Sequence, residues 1–199
     1  MAIHRASFVR LERSDWVRAG TEILAAQGLE AVRVEELARK LHISKGSFYW
    51  HFRDRDDLLQ AILETWEADQ ADWNIDHSER DRSPAERWAK LVELLSRSGY
   101  GRLDVAMFSW AHEDQRVARR VKEVEKKRIA YLARVFREIG FNTSQAREWS
   151  HAAMLLYVGW VDCATRDAFF GESGIPLAET LSRLVLAASA LASQETLRQ

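Results

Sequence analysis

The stretch "VRVEELARKLHISKGSFYWHFRDRDDLL", Val32–Leu59, decides the fold that the sequence predicts. Apolar residues at helical spacing predict a short helix over Val34–Leu41. The next three residues, His42–Ser44, are too few for anything but a tight turn. Ser44 is a suitable N-cap for a second short helix over Lys45–His51. Two short helices joined by such a turn are typical of a helix-turn-helix.

The second short helix and the residue that follows it carry five consecutive aromatic rings, Phe48 to Phe52. Phe48 and Phe52 are four residues apart and share one helix face, which predicts that both pack in a core. Tyr49 and His51 carry polar tips and point elsewhere. Trp50 has two interpretations. Its ring can face a flat, negatively charged partner, or it can pack as a cover against the first predicted helix. The run therefore predicts two interleaved faces.

The start of this helix has residue types that suit a polyanion. A helix N-terminus offers free backbone N–H groups and the positive end of the helix dipole, which favour phosphate. Gly46 has no side chain, so the helix could approach a DNA groove closely. Lys45 and Ser47 can reach phosphates or base edges, and His51 can donate to phosphate. These residues predict a nucleic-acid contact.

The composition of the chain limits where a polyanion site can lie and which class of protein this is. The chain has 199 residues, of which 47% are hydrophobic, and a net charge of -1. Any site for a polyanion must therefore be a local patch, and residues 1–53 carry nine Lys/Arg against six Asp/Glu. Cys163 is the single cysteine, which excludes an intrachain disulfide and favours a cytosolic location. The N-terminus lacks the apolar segment of a signal peptide, and the longest apolar run, Ala152–Val161, is about half a membrane span.

The rest of the chain is predicted to be helical. Only two prolines occur, and alternation typical of strands is scarce. A first helix is expected from the N-cap Ser14 to Gln27, and a fourth from about 54 to 74. The sequence Ser83–Glu86 has the form of a capping box. Further helices are expected at about 84–97, 102–112, 114–139, 144–169 and 176–195. The polar stretch Asn74–Arg82 predicts a domain boundary.

Residues Val32–Leu59 resemble the DNA-binding signature of the TetR (tetracycline-repressor-like) family of bacterial regulators. The pattern consists of "T-x-x-x-I-A" in the second helix, "G-V-S-x-G-[ST]-[LF]-Y-x-H-F" in the recognition segment, and "K-[DE]-x-L" after it. The resemblance implies a three-helix DNA-binding head, residues 1–55, which helix 4 joins to a larger helical body, residues 75–199. It also implies a homodimer formed through the last two long helices and a small-molecule effector pocket in the body.

The resemblance assigns DNA contacts residue by residue. The second helix and the recognition segment would supply Arg33, Ser44, Lys45, Gly46, Ser47, Tyr49, Trp50 and His51. Arg55 matches a lysine that usually meets phosphate. Two positions depart from the pattern. Arg33 replaces a capping threonine and cannot cap, although it can reach phosphate. His42 replaces a turn glycine, so a left-handed backbone there would carry a cost.

Other motifs have simpler interpretations. The basic run Gln115–Arg128 alternates with valines at helical spacing, which predicts a solvated face on an amphipathic helix rather than a DNA-binding arm. The triplet His112–Asp114 has no second pair at ligand spacing, so no metal site is expected. His151 and Cys163 are too far apart in one predicted helix to act together. No convergent acid, base or nucleophile set predicts an enzyme, and no cofactor is expected.

The sequence therefore predicts an all-α, homodimeric transcriptional regulator, most simply a repressor on a near-palindromic operator in duplex DNA. A small apolar or amphipathic effector would release it. Candidate effector contacts are rings and a methionine on the body helices: Trp88, Phe108, Trp110, Tyr131, Met154 and Tyr157. For each of these residues, plain core is the simpler interpretation. The alternative is a DNA-binding structural or partner-binding protein of the same fold that has no small-molecule effector.

Overall fold

The computed structural model describes residues 11–71, 83–95 and 100–165, together with single positions 180, 183, 185 and 187. It contains helices and no strand in these residues, which confirms the all-α prediction. The helices are α1 Arg13–Gln27, α2 Val34–Lys40, α3 Lys45–Phe48, α4 Arg55–Ala71, α5 Pro84–Leu95, α6 Tyr100–Glu113, α7 Gln115–Ile139 and α8 Thr143–Thr165. A single 3-10 turn, Leu29–Ala31, precedes α2. The four isolated positions are helical, and the rest of the predicted helix 176–195 lies outside the described residues.

The chain divides into two compact units between Thr65 and Trp66, within α4. The first unit is here called the head and the second the body. The predicted boundary at Asn74–Arg82 lies outside the part of the chain that the structure describes. Among the described helices, none is both long and apolar enough to cross a membrane.

The head closes around one apolar core. Trp16 and Leu24 of α1 are fully buried, and so is Phe48 of α3. Gly20 lets α1 pack closely on α4, because a Cβ there would lie 2.7 Å from Cδ1 of Ile62. Burial of several large apolar side chains, at about 1.5–3 kcal/mol each, is enough to hold the three short elements α2, the turn and α3 in place.

Local capping explains where the head helices begin. The predicted start at Ser14 is wrong, since α1 begins at Arg13 with Glu12 as its N-cap. The Asp15 side chain accepts a hydrogen bond from the Glu12 N–H at 2.8 Å, so an acidic pair replaces the expected serine. At α4, Asp54 accepts from the Asp57 N–H at 2.8 Å.

The body begins with Trp66 and includes α5 to α8. Ser83 and Glu86 form the predicted capping box before α5: the Ser83 N–H donates to the Glu86 carboxylate at 2.8 Å, and the Glu86 N–H donates to Ser83 Oγ at 3.3 Å. Helix α7 buries one stripe along its whole length. The C-terminal part of the stripe, Tyr131–Phe136, packs with side chains from α5, from α8 and from the segment between α7 and α8. The largest members of this body core are Trp88, Tyr131, Phe136, Phe141 and Tyr157.

Candidate nucleic-acid interface

The turn between α2 and α3 is fixed by backbone hydrogen bonds. The His42 N–H donates to Arg39 O at 3.2 Å, and the Ile43 N–H donates to Ala38 O at 3.0 Å. This pair of bonds is the Schellman motif that ends many helices, and it needs a left-handed residue in the position of His42. His42 has φ +54°, so the left-handed backbone anticipated at the replaced glycine is present.

Helix α3 is shorter than predicted. It is α-helical over Lys45–Phe48, whereas the prediction extended it to His51. The reason is the tight turn that follows, in which the His51 N–H donates to Phe48 O at 2.9 Å. Ser44 occupies the N-cap position, although its side chain makes no capping hydrogen bond. The short helix begins at Lys45, with its N-terminal turn on the protein surface.

The aromatic run has the two faces that its spacing predicted. Phe48 and Phe52 are 0% and 2% exposed, and their rings stack with centroids 5.3 Å apart. The Trp16 and Phe48 rings pack in a T-shaped arrangement with centroids 5.4 Å apart. Tyr49 and Trp50 are 62% and 87% exposed. Since Trp50 projects from the head, its interpretation as a cover for the first helix is wrong.

The residues at the start of α3 are available at the surface. Ser44, Lys45 and Gly46 are exposed, and Ser47 is partly exposed. A Cβ on Gly46 would meet only Ser44 Oγ, at 3.7 Å, and its backbone is not left-handed. The fold of the head therefore does not require glycine at this position.

Lys45 is not free in this structure. Its Nζ donates to Oε1 of Glu35 on α2 at 2.8 Å, and both side chains are more than half exposed. This hydrogen bond holds the pKa of the Glu35 carboxyl below its usual value. A phosphate would therefore have to compete with Glu35 for the Lys45 ammonium.

Arg33, His51 and Arg55 are the remaining predicted DNA contacts. Arg33 is the exposed N-cap of α2, and its side chain makes no capping bond, as expected. His51 is partly exposed in the turn after α3. Arg55 turns inward: its Nε donates to Val32 O and its Nη2 to Leu29 O, both at 2.6 Å.

The predicted effector contacts lie in the body. Trp88, Tyr131, Met154 and Tyr157 belong to one buried core cluster. Trp110 is buried, and Phe108 is partly exposed. The structure therefore brings four of the six together. Their role in effector binding stays a prediction.

Sequence reasoning missed a buried polar network in the body. Asp104 and Arg128 form an ion pair in which each is 1% exposed. Asp104 also accepts hydrogen bonds from Trp66 Nε1 at 2.8 Å and from the Tyr157 hydroxyl at 2.9 Å. The prediction that Arg128 is part of a solvated face is therefore wrong. Its position four residues after the buried Val124 was the available signal.

The other basic residues of this run and the acidic triplet have simple roles. Most of the run's cations are exposed on α7, as predicted. Asp114 is the N-cap of α7 and accepts from the Arg116 N–H at 2.7 Å. Side-chain hydrogen bonding with Arg116 lowers the pKa of Asp114 to about 2. Among the residues that the structure describes, no group of three His, Cys, Asp or Glu side chains could hold a metal ion.

Comparison with known proteins identifies the head. A family model described as bacterial regulatory proteins, tetR family, matches residues 17–62, which contain α2, the turn and α3. Over this segment, the chain is similar to the TetR family. In this family segment, the uncharacterized HTH-type transcriptional regulator TtgW of Pseudomonas putida is 33% identical over 63 residues. The match covers 32% of this chain and 47% of TtgW, so it spans less than half of that relative.

Solved structures extend the TetR-like fold to the body. A transcriptional regulator from Rhodococcus sp. has a TM-score of 0.69 at 19% identity, covering 93% of this chain and 97% of its own. A transcriptional regulator from Saccharomonospora viridis, solved in complex with choline, has a TM-score of 0.70 at 16% identity, covering 87% and 92%. At these identities, the similarity shows the fold alone.

Proposed function

We propose that this protein is a sequence-specific DNA-binding transcriptional regulator that acts as a repressor. The observation that carries the proposal is the exposure of Tyr49 and Trp50 beside the buried Phe48 and Phe52. A ring as exposed as that of Trp50 contributes little to folding, and both rings suit contact with base edges or sugar–phosphate. The short helix α3 would lie in a major groove, as recognition helices do.

The surrounding residues supply the chemistry of a DNA contact. Lys45 and Arg33 bring positive charge, and phosphate contacts of this kind dominate affinity. Ser44, Ser47 and His51 can donate hydrogen bonds to phosphate or to base edges. Gly46 leaves the helix start without a side chain, which permits a close approach. The contact of Arg55 with phosphate also stays a prediction, and it is tested below against a different role.

A homodimer would read a near-palindromic operator. Leu155 and Leu156 of α8 are 74% and 46% exposed, so α8 presents apolar side chains that a second copy could cover. The other predicted dimer element, residues 176–195, lies almost wholly outside the described residues. Two heads related by a two-fold axis would bind half-sites about one to two helical turns apart. The regulator would act in the cytoplasm and on the nucleoid.

An effector would bind the body and favour a state that does not fit the operator. The proposed contacts are the six body residues named above, and the ligand would be small and apolar or amphipathic. The choline complex of the Saccharomonospora viridis protein supports a small organic ligand in this fold. The close packing of four of these residues in the core favours the alternative, a regulator of the same fold without a small-molecule effector.

The test begins with a duplex selected by the wild-type protein from a random-sequence pool. Binding of that duplex is then measured for Tyr49→Ala and Trp50→Ala, with Lys126→Ala as an exposed control on α7. The first two variants should lose about tenfold or more in affinity at matched salt while keeping their unfolding midpoints. Failure of the wild-type protein to select any duplex would refute the proposal, and equal binding by all three variants would refute the assignment of the surface.

A further inference from the structure

Arg55 connects the start of α4 to the segment before α2. Its guanidinium donates to Val32 O and to Leu29 O, both at 2.6 Å, and these carbonyls lie 23 and 26 residues earlier in the chain. The side chain is partly buried, whereas that of Arg53, two residues earlier, is 86% exposed. Two hydrogen bonds from a charged donor are among the stronger polar contacts in a protein.

The two carbonyl groups lie in the short segment that leads into α2. Leu29 O also accepts from the Val32 N–H at 3.1 Å, which closes the 3-10 turn. The Val32 side chain is 0% exposed, so its apolar end is fixed in the head core. The Val32 carbonyl belongs to the peptide bond that joins Val32 to Arg33. Arg55 therefore holds the other end of the same residue.

Fixing that peptide bond fixes the entry to α2. Arg33 is the N-cap, and its carbonyl accepts the Leu37 N–H at 3.0 Å, which starts the helical ladder. Since Arg33 has no side-chain cap, the start of α2 lacks the stabilisation that a Ser, Thr, Asp or Asn would give. The hydrogen bonds of Arg55 supply an anchor from outside the helix.

We propose that Arg55 is a positioning residue: it holds the N-terminus of α2 so that the exposed side chain of Arg33 meets a DNA phosphate. The inference rests on the proposed DNA-binding function. It differs from the prediction of a phosphate contact by Arg55, because such a contact would require the guanidinium to leave two backbone carbonyls. Arginine suits this role better than lysine, since its planar fork can donate to two acceptors at once.

Two variants separate the roles. In Arg55→Gln, the amide nitrogen stands where the arginine Nε stood, so it can still donate to Val32 O, but the charge is gone. Arg55→Ala removes both. Binding to the duplex selected by the wild-type protein is measured between about 50 and 200 mM salt, the range over which phosphate contacts weaken. Arg33→Ala and Arg53→Ala are measured in parallel, the second as an exposed arginine on the same segment.

The positioning role predicts a specific pattern. Arg55→Ala should weaken binding about tenfold, the cost typical of losing hydrogen bonds with a charged partner, without changing the log–log salt slope. Arg55→Gln should recover most of that loss. Arg33→Ala should lower the slope by about one. If Arg55→Gln and Arg55→Ala bind equally weakly and both lower the slope by about one, Arg55 is a phosphate contact and the proposal is wrong.

A measurement without DNA keeps the two proposals distinguishable. Amide hydrogen exchange of Leu37, at the start of α2, is compared with that of Phe52, whose N–H donates to Phe48 O at 3.0 Å. Arg55→Ala should accelerate exchange at Leu37 more than at Phe52. Equal acceleration at both amides indicates a general loss of stability and overturns the inference. This result is independent of whether the wild-type protein selects a duplex, which tests the proposed function alone.

Discussion

The Arg128 guanidinium on α7 donates two hydrogen bonds to the Asp104 carboxylate on α6, at 2.7 and 3.1 Å, deep inside the body. With Trp66 and Tyr157 also donating to Asp104, the carboxylate is surrounded by hydrogen-bond donors. Taking both charges out of water is costly, and the pair is retained because each partner satisfies the other. Removing one partner would leave a buried charge without its counterion.

We therefore expect Arg128→Met to destabilise the body by about 3–5 kcal/mol, as for other broken buried pairs. The double variant Asp104→Asn/Arg128→Met should lose less than Arg128→Met alone, because no buried charge remains and the Asn oxygen can still accept from Trp66 or Tyr157. Urea unfolding monitored by circular dichroism measures both. Lys126→Ala is the control, since its ion pair with Glu123 is exposed and should contribute little to stability. A double variant at least as unstable as Arg128→Met would contradict the expected coupling.

Gly46→Ala should separate DNA binding from folding. The head has room for a Cβ at this position, and alanine is a better helix former by about 1 kcal/mol. The variant should therefore unfold at the same temperature as the wild-type protein or higher, yet bind the selected duplex at least tenfold more weakly. Gly101→Ala is the opposite control, because its Cβ would collide with Cβ and both Cγ atoms of Val161 on α8 and should lower stability. Normal DNA binding by Gly46→Ala would remove close groove approach from the proposed contact.

His42→Gly should stabilise the head by about 1 kcal/mol, because glycine adopts a left-handed backbone without the cost that a Cβ imposes. The same motif ends α7, where the Phe141 N–H donates to Phe136 O at 3.1 Å and Gly140 has φ +119°. Gly140→His should accordingly destabilise the body by a similar amount. Thermal unfolding of both variants checks the pair. A lower midpoint for His42→Gly would show that the imidazole makes a compensating contact.

Glu35→Gln should strengthen binding to the selected duplex by a few fold, because Lys45 is released from its ion pair. Glu22→Gln is matched to it, since Glu22 is an exposed head carboxylate paired with Lys40. Both variants raise the net charge by one, so their difference reports the local effect on Lys45. Fluorescence anisotropy at fixed salt measures both affinities. Equal gains for the two variants would indicate a general charge effect only.

Asp114 should make the stability of the body depend on pH in acid. Its pKa is about 2 in the folded chain against an ordinary value of 3.8, so the unfolded chain binds the proton more readily. The contribution is present above about pH 4 and is lost as the pH falls through about 2. Asp114→Asn keeps an acceptor at the cap but no charge. The difference in unfolding midpoint between the wild-type protein and Asp114→Asn should shrink from pH 5 to pH 2. A constant difference would contradict a stabilising role for the Asp114 charge.

The head could be predicted in detail because its signals are local. The spacing of Phe48 and Phe52 predicted that both are buried. The glycine that His42 replaces in the family pattern predicted a left-handed backbone at this position. The capping box of α5 was likewise readable within four residues. The exception is Arg55, whose acceptors lie 23 and 26 residues away. No local pattern distinguishes an arginine that meets phosphate from one that holds a distant carbonyl.

The body could be predicted only in outline. Its helices follow from periodicity, but the partners of Asp104 lie 24, 38 and 53 residues away. Arg128 was grouped with its basic neighbours, although its place on the valine stripe put it inside. The position of a residue on the buried face of a helix predicts its burial better than its charge does, provided that a counterion exists elsewhere in the chain. That counterion is what a single sequence does not reveal.

The alternation of buried and exposed rings from Phe48 to Phe52 has an evolutionary consequence. Trp50 is 87% exposed, so its substitution leaves the stacked pair in place, and a descendant could acquire a new target sequence there without first regaining lost stability. Tyr49 differs, because its ring packs in a T-shaped contact on Phe48 with centroids 5.3 Å apart. A gene copy that lost its operator would therefore diverge first at Trp50, while the inward rings stayed recognisable.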